Sequence, residues 1–324
     1  MSPLAALIRE EISRAGPITF ERFMDLALYH PEHGYYRGGR ERFGRAGDYY
    51  TAAQLQPVFG SLIAARIRRL FEELGRPTGF TVMELGAGRS EMAAPFSEFA
   101  YLGLEIDRGA LPASFCGVVF ANEFFDALPV RVVARRGGAV REMRVGWSGF
   151  RFCWVEGEPA EGEVADYARR YLPLAEEGDQ AEVNLRALRW LEEVAGRLER
   201  GYLLIVDYGY TTQEAARFAG GTLMSYRRHA ALEDVLEEPG ERDITAHVCF
   251  TALQEHAAVC GLRVLRFETL AQTLMGAATE DVLAAALSAG AEPERLRRRL
   301  QLKTLLVGMG ETFRTLLLGK NAPA

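Results

Sequence analysis

Phe80-Thr81-Val82-Met83-Glu84-Leu85-Gly86-Ala87-Gly88 is the stretch on which the fold turns. A short apolar run reads as a buried strand, an acid closes it, and two glycines spaced by one residue make a sharp strand-to-helix turn where a ligand can approach the backbone. A second acid, Glu105, ends the next apolar run, Tyr101-Leu102-Gly103-Leu104. An acid about 20 residues after the first strand is placed to hold ribose hydroxyls. Two further runs, Val118-Val119-Phe120 and Tyr202-Leu203-Leu204-Ile205-Val206, complete a set of buried strands. Strands of this kind separated by helices predict an α/β, doubly wound, Rossmann-like sheet.

The glycine turn also tests which ligand it takes. The third glycine of a dinucleotide fingerprint would fall on Glu91, an anion where pyrophosphate needs a helix N-terminus. Glu84 points the same way, because an acid at a strand end disfavours phosphate and favours a positive centre. S-adenosylmethionine, with a sulfonium, an ammonium and a ribose but no phosphate, fits better than NAD.

The composition narrows the classes further. With 324 residues, 48% hydrophobic and 25% charged, the chain has the makings of about two domains or one large elaborated one. Its net charge of −6 disfavours nucleic acid and phospholipid surfaces and favours a cationic partner. The longest apolar stretch, around Val282 to Ala291, is shorter than the roughly 20 residues that span a bilayer, and Ile8 runs into Arg9-Glu10-Glu11 instead of a signal-peptide core. A cytoplasmic protein without membrane insertion is expected. Cys116, Cys153, Cys249 and Cys260 form no CxxC pair and read as reduced packing residues. His30 and His33 share a turn with Pro31 and Gly34, which does not suggest zinc, so no metal is expected.

Along the chain, Leu4, Leu7, Ile8, Ile12 and then Phe20, Phe23, Met24, Ala27 repeat at helical spacing on either side of Gly16-Pro17. Thr19 is placed to cap the second helix, with Arg22 where a reciprocal box would have Glu. Pro31 to Thr51 is a glycine- and tyrosine-rich loop, of a length usually functional. Arg131 to Val155 alternates around Gly137-Gly138 and Ser148-Gly149, predicting a β-hairpin and a further strand. The last 50 or so residues read as helical, Arg295 to Arg299 being a solvated helix face. The expected division is an N-terminal helical and loop lid over 1–78, a core over 79–270 with an insertion at 131–200, and a helical region over 271–324.

Three motifs beyond the glycine turn carry chemistry. Asn122-Glu123-Phe124-Phe125-Asp126 follows the Val118 strand, where the carboxyl ends of central strands bind ligands. Glu123 and Asp126 share a face if the segment turns helically, and with Asn122 and the phenylalanine walls they suit a cationic substrate. Asp207-Tyr208-Gly209-Tyr210 ends the Tyr202 strand, whose acid should face the same cleft. Asp243-Ile244-Thr245-Ala246-His247 holds a histidine that is more often structural than catalytic. Glu123, Asp126 and Asp207 are therefore the candidate catalytic carboxylates, with Phe124, Tyr208 and His247 on the substrate side.

Taken together, Gly16-Pro17-Ile18-Thr19-Phe20 with Phe23-Met24, Tyr29-His30-Pro31-Glu32-His33-Gly34-Tyr35-Tyr36, Phe43-Gly44 with Gly47-Asp48, Asn122 to Pro129, Val206-Asp207-Tyr208-Gly209, and Tyr226-Arg227-Arg228-His229 with Asp243 to His247 resemble the MidA family. That family of S-adenosylmethionine-dependent methyltransferases includes the mitochondrial complex I assembly factor that acts as a protein arginine methyltransferase. The resemblance implies a class I methyltransferase fold and methylation of a protein arginine. By it, Glu84, Gly86, Ala87, Gly88 and Glu105 fall on the cofactor motifs, Asn122 and Glu123 beside the methyl donor, and Asp48 and Thr51 on a loop covering the site. A non-catalytic assembly protein of methyltransferase fold and a small-molecule methyltransferase are the competing readings. Between Glu105 and Val118 there are only about a dozen residues, too few for a helix, an edge strand and a second crossover. The Tyr101 strand is therefore expected at the edge of the sheet.

Overall fold

Val82, Met83, Val118, Val119, Phe120, Leu203, Ile205 and Val206 have no solvent exposure, as strands covered on both faces require. The computed structural model describes residues 1–37, 55–105, 108–227, 230–232 and 234–323. These group into two compact units, each drawn from three stretches of chain.

The unit built from Thr51–Phe125, Trp190–Gly209 and Leu253–Ala324 carries the parallel sheet. Its strands run in the order Arg263–Thr269, Phe313–Lys320, Leu198–Tyr210, Phe115–Asn122, Thr81–Leu85, Ala100–Leu104. The last four are mutually parallel, and Phe313–Lys320 is antiparallel to both its neighbours. Ala100–Leu104 ends that order, and no strand lies among the described residues between 105 and 114, as the short connection predicted.

The strand at Phe313–Lys320 corrects the reading of an all-helical C-terminal region. Its residues Leu316-Leu317-Leu318 form a continuous apolar run buried on both faces, which periodicity does not separate from a helix. The expected helices there do form, at Leu270–Ala277, Glu280–Ser288 and Glu292–Lys303. Two glycines let the central strands close. A Cβ on Gly117 would lie 1.9 Å from the Thr81 carbonyl oxygen, and one on Gly201 would lie 1.9 Å from that of Gly117. Val58–Glu73 packs Phe59, Leu62, Ile63 and Ile67 into the core that contains Phe96, Phe120 and Tyr202.

The unit built from Met1–Tyr50, Asp126–Arg189 and Tyr210–Ala252 holds an antiparallel sheet ordered Ile18–Thr19, Ala139–Trp147, Arg131–Arg136, Gln180–Val183, with Phe152–Pro159 also on Ala139–Trp147. This is the predicted hairpin and further strand. Helices Pro3–Ala15 and Phe20–Tyr29 pack Leu4, Ile8, Phe20, Phe23 and Met24 against Val132, Val145 and Phe152. Ser2 caps the first helix by accepting from Ala5 N–H, and Thr19 caps the second by accepting from Arg22 N–H at 3.1 Å. The four cysteines carry free thiols. Among the described residues no helix is long and apolar enough to cross a membrane.

Candidate active site

At the carboxyl end of Thr81–Leu85, Glu84 is only 4% exposed and accepts a hydrogen bond from the Tyr101 hydroxyl. The parallel register sets Gly103 opposite Glu84. A Cβ there would stand 2.9 Å from the Ala87 Cβ and 3.0 Å from the Tyr101 hydroxyl oxygen, so Gly103 leaves room for both side chains. Burial pushes the Glu84 carboxyl up to about 8, and Glu91 and Glu105 add to that, against the Tyr101 hydrogen bond and Arg108. At neutral pH and without a cation beside it, the group holds its proton.

The glycines behave as a ligand turn requires. Gly86 and Gly88 have φ of +66° and +50°, the left-handed region open to glycine. A Cβ on Gly86 would come within 2.9 Å of the Phe124 ring. Ala87 N–H donates to the Leu104 carbonyl at 3.0 Å, and Gly88 N–H donates to Glu105 Oε2 at 2.8 Å. Arg108 closes the turn from outside by donating to the Gly88 carbonyl and to Ser90 Oγ, each at 3.1 Å. The chain from 88 to 98 then runs as successive turns and not as a helix. There is accordingly no helix N-terminus here for a phosphate, and the Glu91 carboxylate lies 3.9 Å from where a Gly88 Cβ would be.

The neighbouring strand ends in a second turn of different construction. Asn122 closes Phe115–Asn122 opposite Val206, and Glu123 N–H donates to the Val206 carbonyl at 2.9 Å. Glu123, which is no glycine, sits at φ +50°. Asn122 Nδ2 donates to Glu123 Oε1 at 3.1 Å, while Asn122 Oδ1 is buried with no hydrogen-bond partner among the described residues. Asp207 is fully buried; its Oδ2 accepts from Phe125 N–H at 3.0 Å and its Oδ1 from Tyr208 N–H at 2.9 Å. The Phe124 ring meets Trp190 edge-on at 5.2 Å and Phe125 at 5.3 Å.

The segment after Asn122 does not wind into a helix, so the three-residue spacing of Glu123 and Asp126 does not set them on one helical face. The left-handed Glu123 breaks the winding at its first residue. Asp126 belongs to the other unit, where its carbonyl accepts from Ala246 N–H at 2.9 Å. His247 lies in that unit too: its N–H donates to Thr222 Oγ1 at 2.9 Å, its ring meets Phe218 at 5.2 Å, and burial holds its imidazole below the ordinary value. Tyr208 packs edge-on against Phe313 at 5.5 Å. Asp48 and Thr51 lie outside the described residues.

The structure thus brings Glu84, Gly86, Ala87, Gly88 and Glu105 together, and joins them to Asn122 and Glu123 through Phe124 over Gly86. Sequence reasoning missed Tyr101, Arg108 and Trp190. Tyr101 was signalled by Gly103, a glycine inside a strand, which marks a close approach; the other two carry no local signal. Two glycines at positive φ, a carboxylate anchored on their backbone and an orphaned buried acceptor suit a nucleoside with a cationic arm and no phosphate. S-adenosylmethionine is such a molecule.

Comparison with known proteins agrees. A family model described as "Putative S-adenosyl-L-methionine-dependent methyltransferase" matches residues 106–268. A solved Burkholderia thailandensis protein, described as a "likely methyl transferase" and bound to S-adenosyl-homocysteine, is 31% identical, with a TM-score of 0.88 over 99% of this chain and 92% of that one. The likeness extends to a doubly wound class I methyltransferase-like fold. The Drosophila melanogaster protein named protein arginine methyltransferase NDUFAF7 homolog, mitochondrial, is 26% identical over 80% of this chain and 70% of its own. Its Homo sapiens counterpart is 25% identical over 79% and 69%.

Proposed function

From its place in the MidA-like family of S-adenosyl-L-methionine-dependent methyltransferases, to which this chain belongs, we propose that the protein transfers a methyl group to a guanidinium nitrogen of an arginine in a partner protein. The cofactor is S-adenosyl-L-methionine. The observation that carries the reading is the turn at Asn122-Glu123, where a half-buried carboxylate is held in left-handed backbone beside an orphaned amide oxygen. Strain of this kind persists where a side chain must be aimed. The relatives named as protein arginine methyltransferases support the choice of acceptor.

When bound, the cofactor supplies an electrophilic methyl group on a sulfonium. Gly86, Ala87 and Gly88 cradle the nucleoside, Glu105 takes the ribose, and Glu84 takes the amino-acid ammonium. Phe124 and Trp190, in edge-on contact, form an apolar wall beside Glu123. A guanidinium has a pKa above about 12 and reaches the site charged and poorly nucleophilic. Glu123 binds it through a charge-assisted hydrogen bond and takes a proton from the attacking nitrogen. Asp207 fixes the turn by its two backbone bonds. Asp126 carries no part of this proposal, since the turn after Asn122 does not set it on one face with Glu123. Asp48 and Thr51 are assigned to the loop over the cofactor.

The test is mass spectrometry of the proteome with and without this chain, searching for methylarginine. A methylarginine site that disappears on deletion and returns with the wild-type chain supports the proposal. Methyl transfer in vitro that labels only small molecules, or an oxygen, refutes it.

A further inference from the structure

Among the described residues that act on Glu84, acids outnumber bases. Glu84 is surrounded by Glu91 from the turn beyond Gly88, by Tyr101 and Glu105 from the adjacent strand and the residue after it, and by Arg108. Arg108 is committed to the Gly88 carbonyl and Ser90 Oγ. Ser90 in turn bonds the Tyr101 hydroxyl. Tyr101 therefore sits between the outer layer of the turn and the buried acid, and it reaches Glu84 through the slot that Gly103 leaves open. Burial also raises Tyr101 above its ordinary value, so the phenol keeps its proton and remains the donor. Burial disfavours the charged form of Glu84 and the carboxylates around it add to that, so its ionisation calls for a cation beside it.

We propose that cofactor binding is proton-linked at the buried Glu84, with Tyr101 as its positioning residue: Tyr101 holds the carboxyl in place through the slot beside Gly103, and Glu84 releases its proton when the ammonium of the cofactor's amino-acid end arrives. This rests on the reading of Glu84 as a cofactor residue. The proton passes from the carboxyl to solvent, no covalent bond forms, and the carboxylate left behind accepts from the ammonium while still accepting from Tyr101. Apolar walls give a nucleoside its affinity. The Glu84–Tyr101 pair adds a demand that the ligand bring its own positive charge, since only a cation repays the ionisation of a buried acid.

The test is calorimetry of the full chain with S-adenosylhomocysteine at pH 7, in buffers of different ionisation heat. Methylthioadenosine, which has the nucleoside but no amino-acid arm, serves as the comparison ligand. Proton release on binding S-adenosylhomocysteine is expected, with close to none for methylthioadenosine, and S-adenosylhomocysteine affinity should rise severalfold from pH 6 to pH 7. Glu84→Gln should abolish the release. Tyr101→Phe should keep it but move the pH at which affinity levels off upward, because the bond that favoured the carboxylate is gone. Buffer-independent heat with S-adenosylhomocysteine overturns the inference while leaving the cofactor site intact. A Tyr101→Phe profile that coincides with wild type removes Tyr101 from it. No heat with either ligand overturns the reading of the site itself, and the inference with it.

Discussion

The turn after Thr81–Leu85 and the turn after Phe115–Asn122 lie at the same ends of adjacent parallel strands, yet they are built from opposite materials. The first takes its left-handed backbone from Gly86 and Gly88 and satisfies Gly88 N–H with the Glu105 carboxylate. The second places Glu123 in the left-handed region and satisfies Phe125 N–H with the buried Asp207. Where only the backbone must approach a ligand, a missing side chain is the solution. Where a side chain must act, the chain accepts strain and holds it with a buried acceptor on the next strand.

The largest effect should come from removing that acceptor. Asp207→Ala leaves Phe125 N–H and Tyr208 N–H without the carboxylate and should destabilise by about 3 kcal/mol, read from the midpoint of urea unfolding. Asp207→Asn keeps one acceptor and should cost about half as much. If Asp207→Ala unfolds at the wild-type midpoint, Asp207 does not hold the second turn. On the first turn, Gly86→Ala combines a disfavoured φ with a Cβ 2.9 Å from the Phe124 ring. It should cost about 2 kcal/mol and weaken S-adenosylhomocysteine binding at least tenfold. Wild-type affinity in that variant would show that the cofactor does not lie against Gly86.

A pH series sharpens the comparison. The folded value of Glu84, about 8, exceeds the ordinary 4.5, so the folded state holds a proton that the unfolded chain gives up. Its stabilising contribution is complete below about pH 4.5 and is lost as pH rises through about 8. Between pH 6 and 8 the loss should be about 2 kcal/mol, and Glu84→Gln should flatten that slope. Equal slopes in wild type and variant would mean that Glu84 is ionised throughout. The smallest effect is expected at Glu123→Gly, which relieves the left-handed backbone and should raise stability by up to about 1 kcal/mol while lowering methyl transfer.

Most of the first turn was legible in the sequence. An apolar run, an acid, two glycines and a second acid about 20 residues on are local signals, and the register places them together. Less of the second turn was. Asn122 and Glu123 were chosen from a post-strand position, but helical spacing suggested a shared face with Asp126 that a left-handed Glu123 does not permit. The backbone bonds to Asp207 depend on the pairing of Phe115–Asn122 with Leu198–Tyr210, a long-range contact that no local pattern encodes. Phe313–Lys320 escaped for a related reason. Its apolar run has no alternation because both faces are covered, and only the finished sheet distinguishes it from a helix.

The account stands most directly on single-turnover methyl transfer by Glu123→Gln, measured against wild type on a partner arginine verified by mass spectrometry. Glutamine keeps the size of the side chain and its bond to Asn122 but cannot take a proton. A carboxylate that binds and deprotonates the guanidinium predicts a loss of about 10² to 10³ in rate with S-adenosylhomocysteine affinity unchanged. A Glu123→Gln enzyme that transfers the methyl group at the wild-type rate would contradict it.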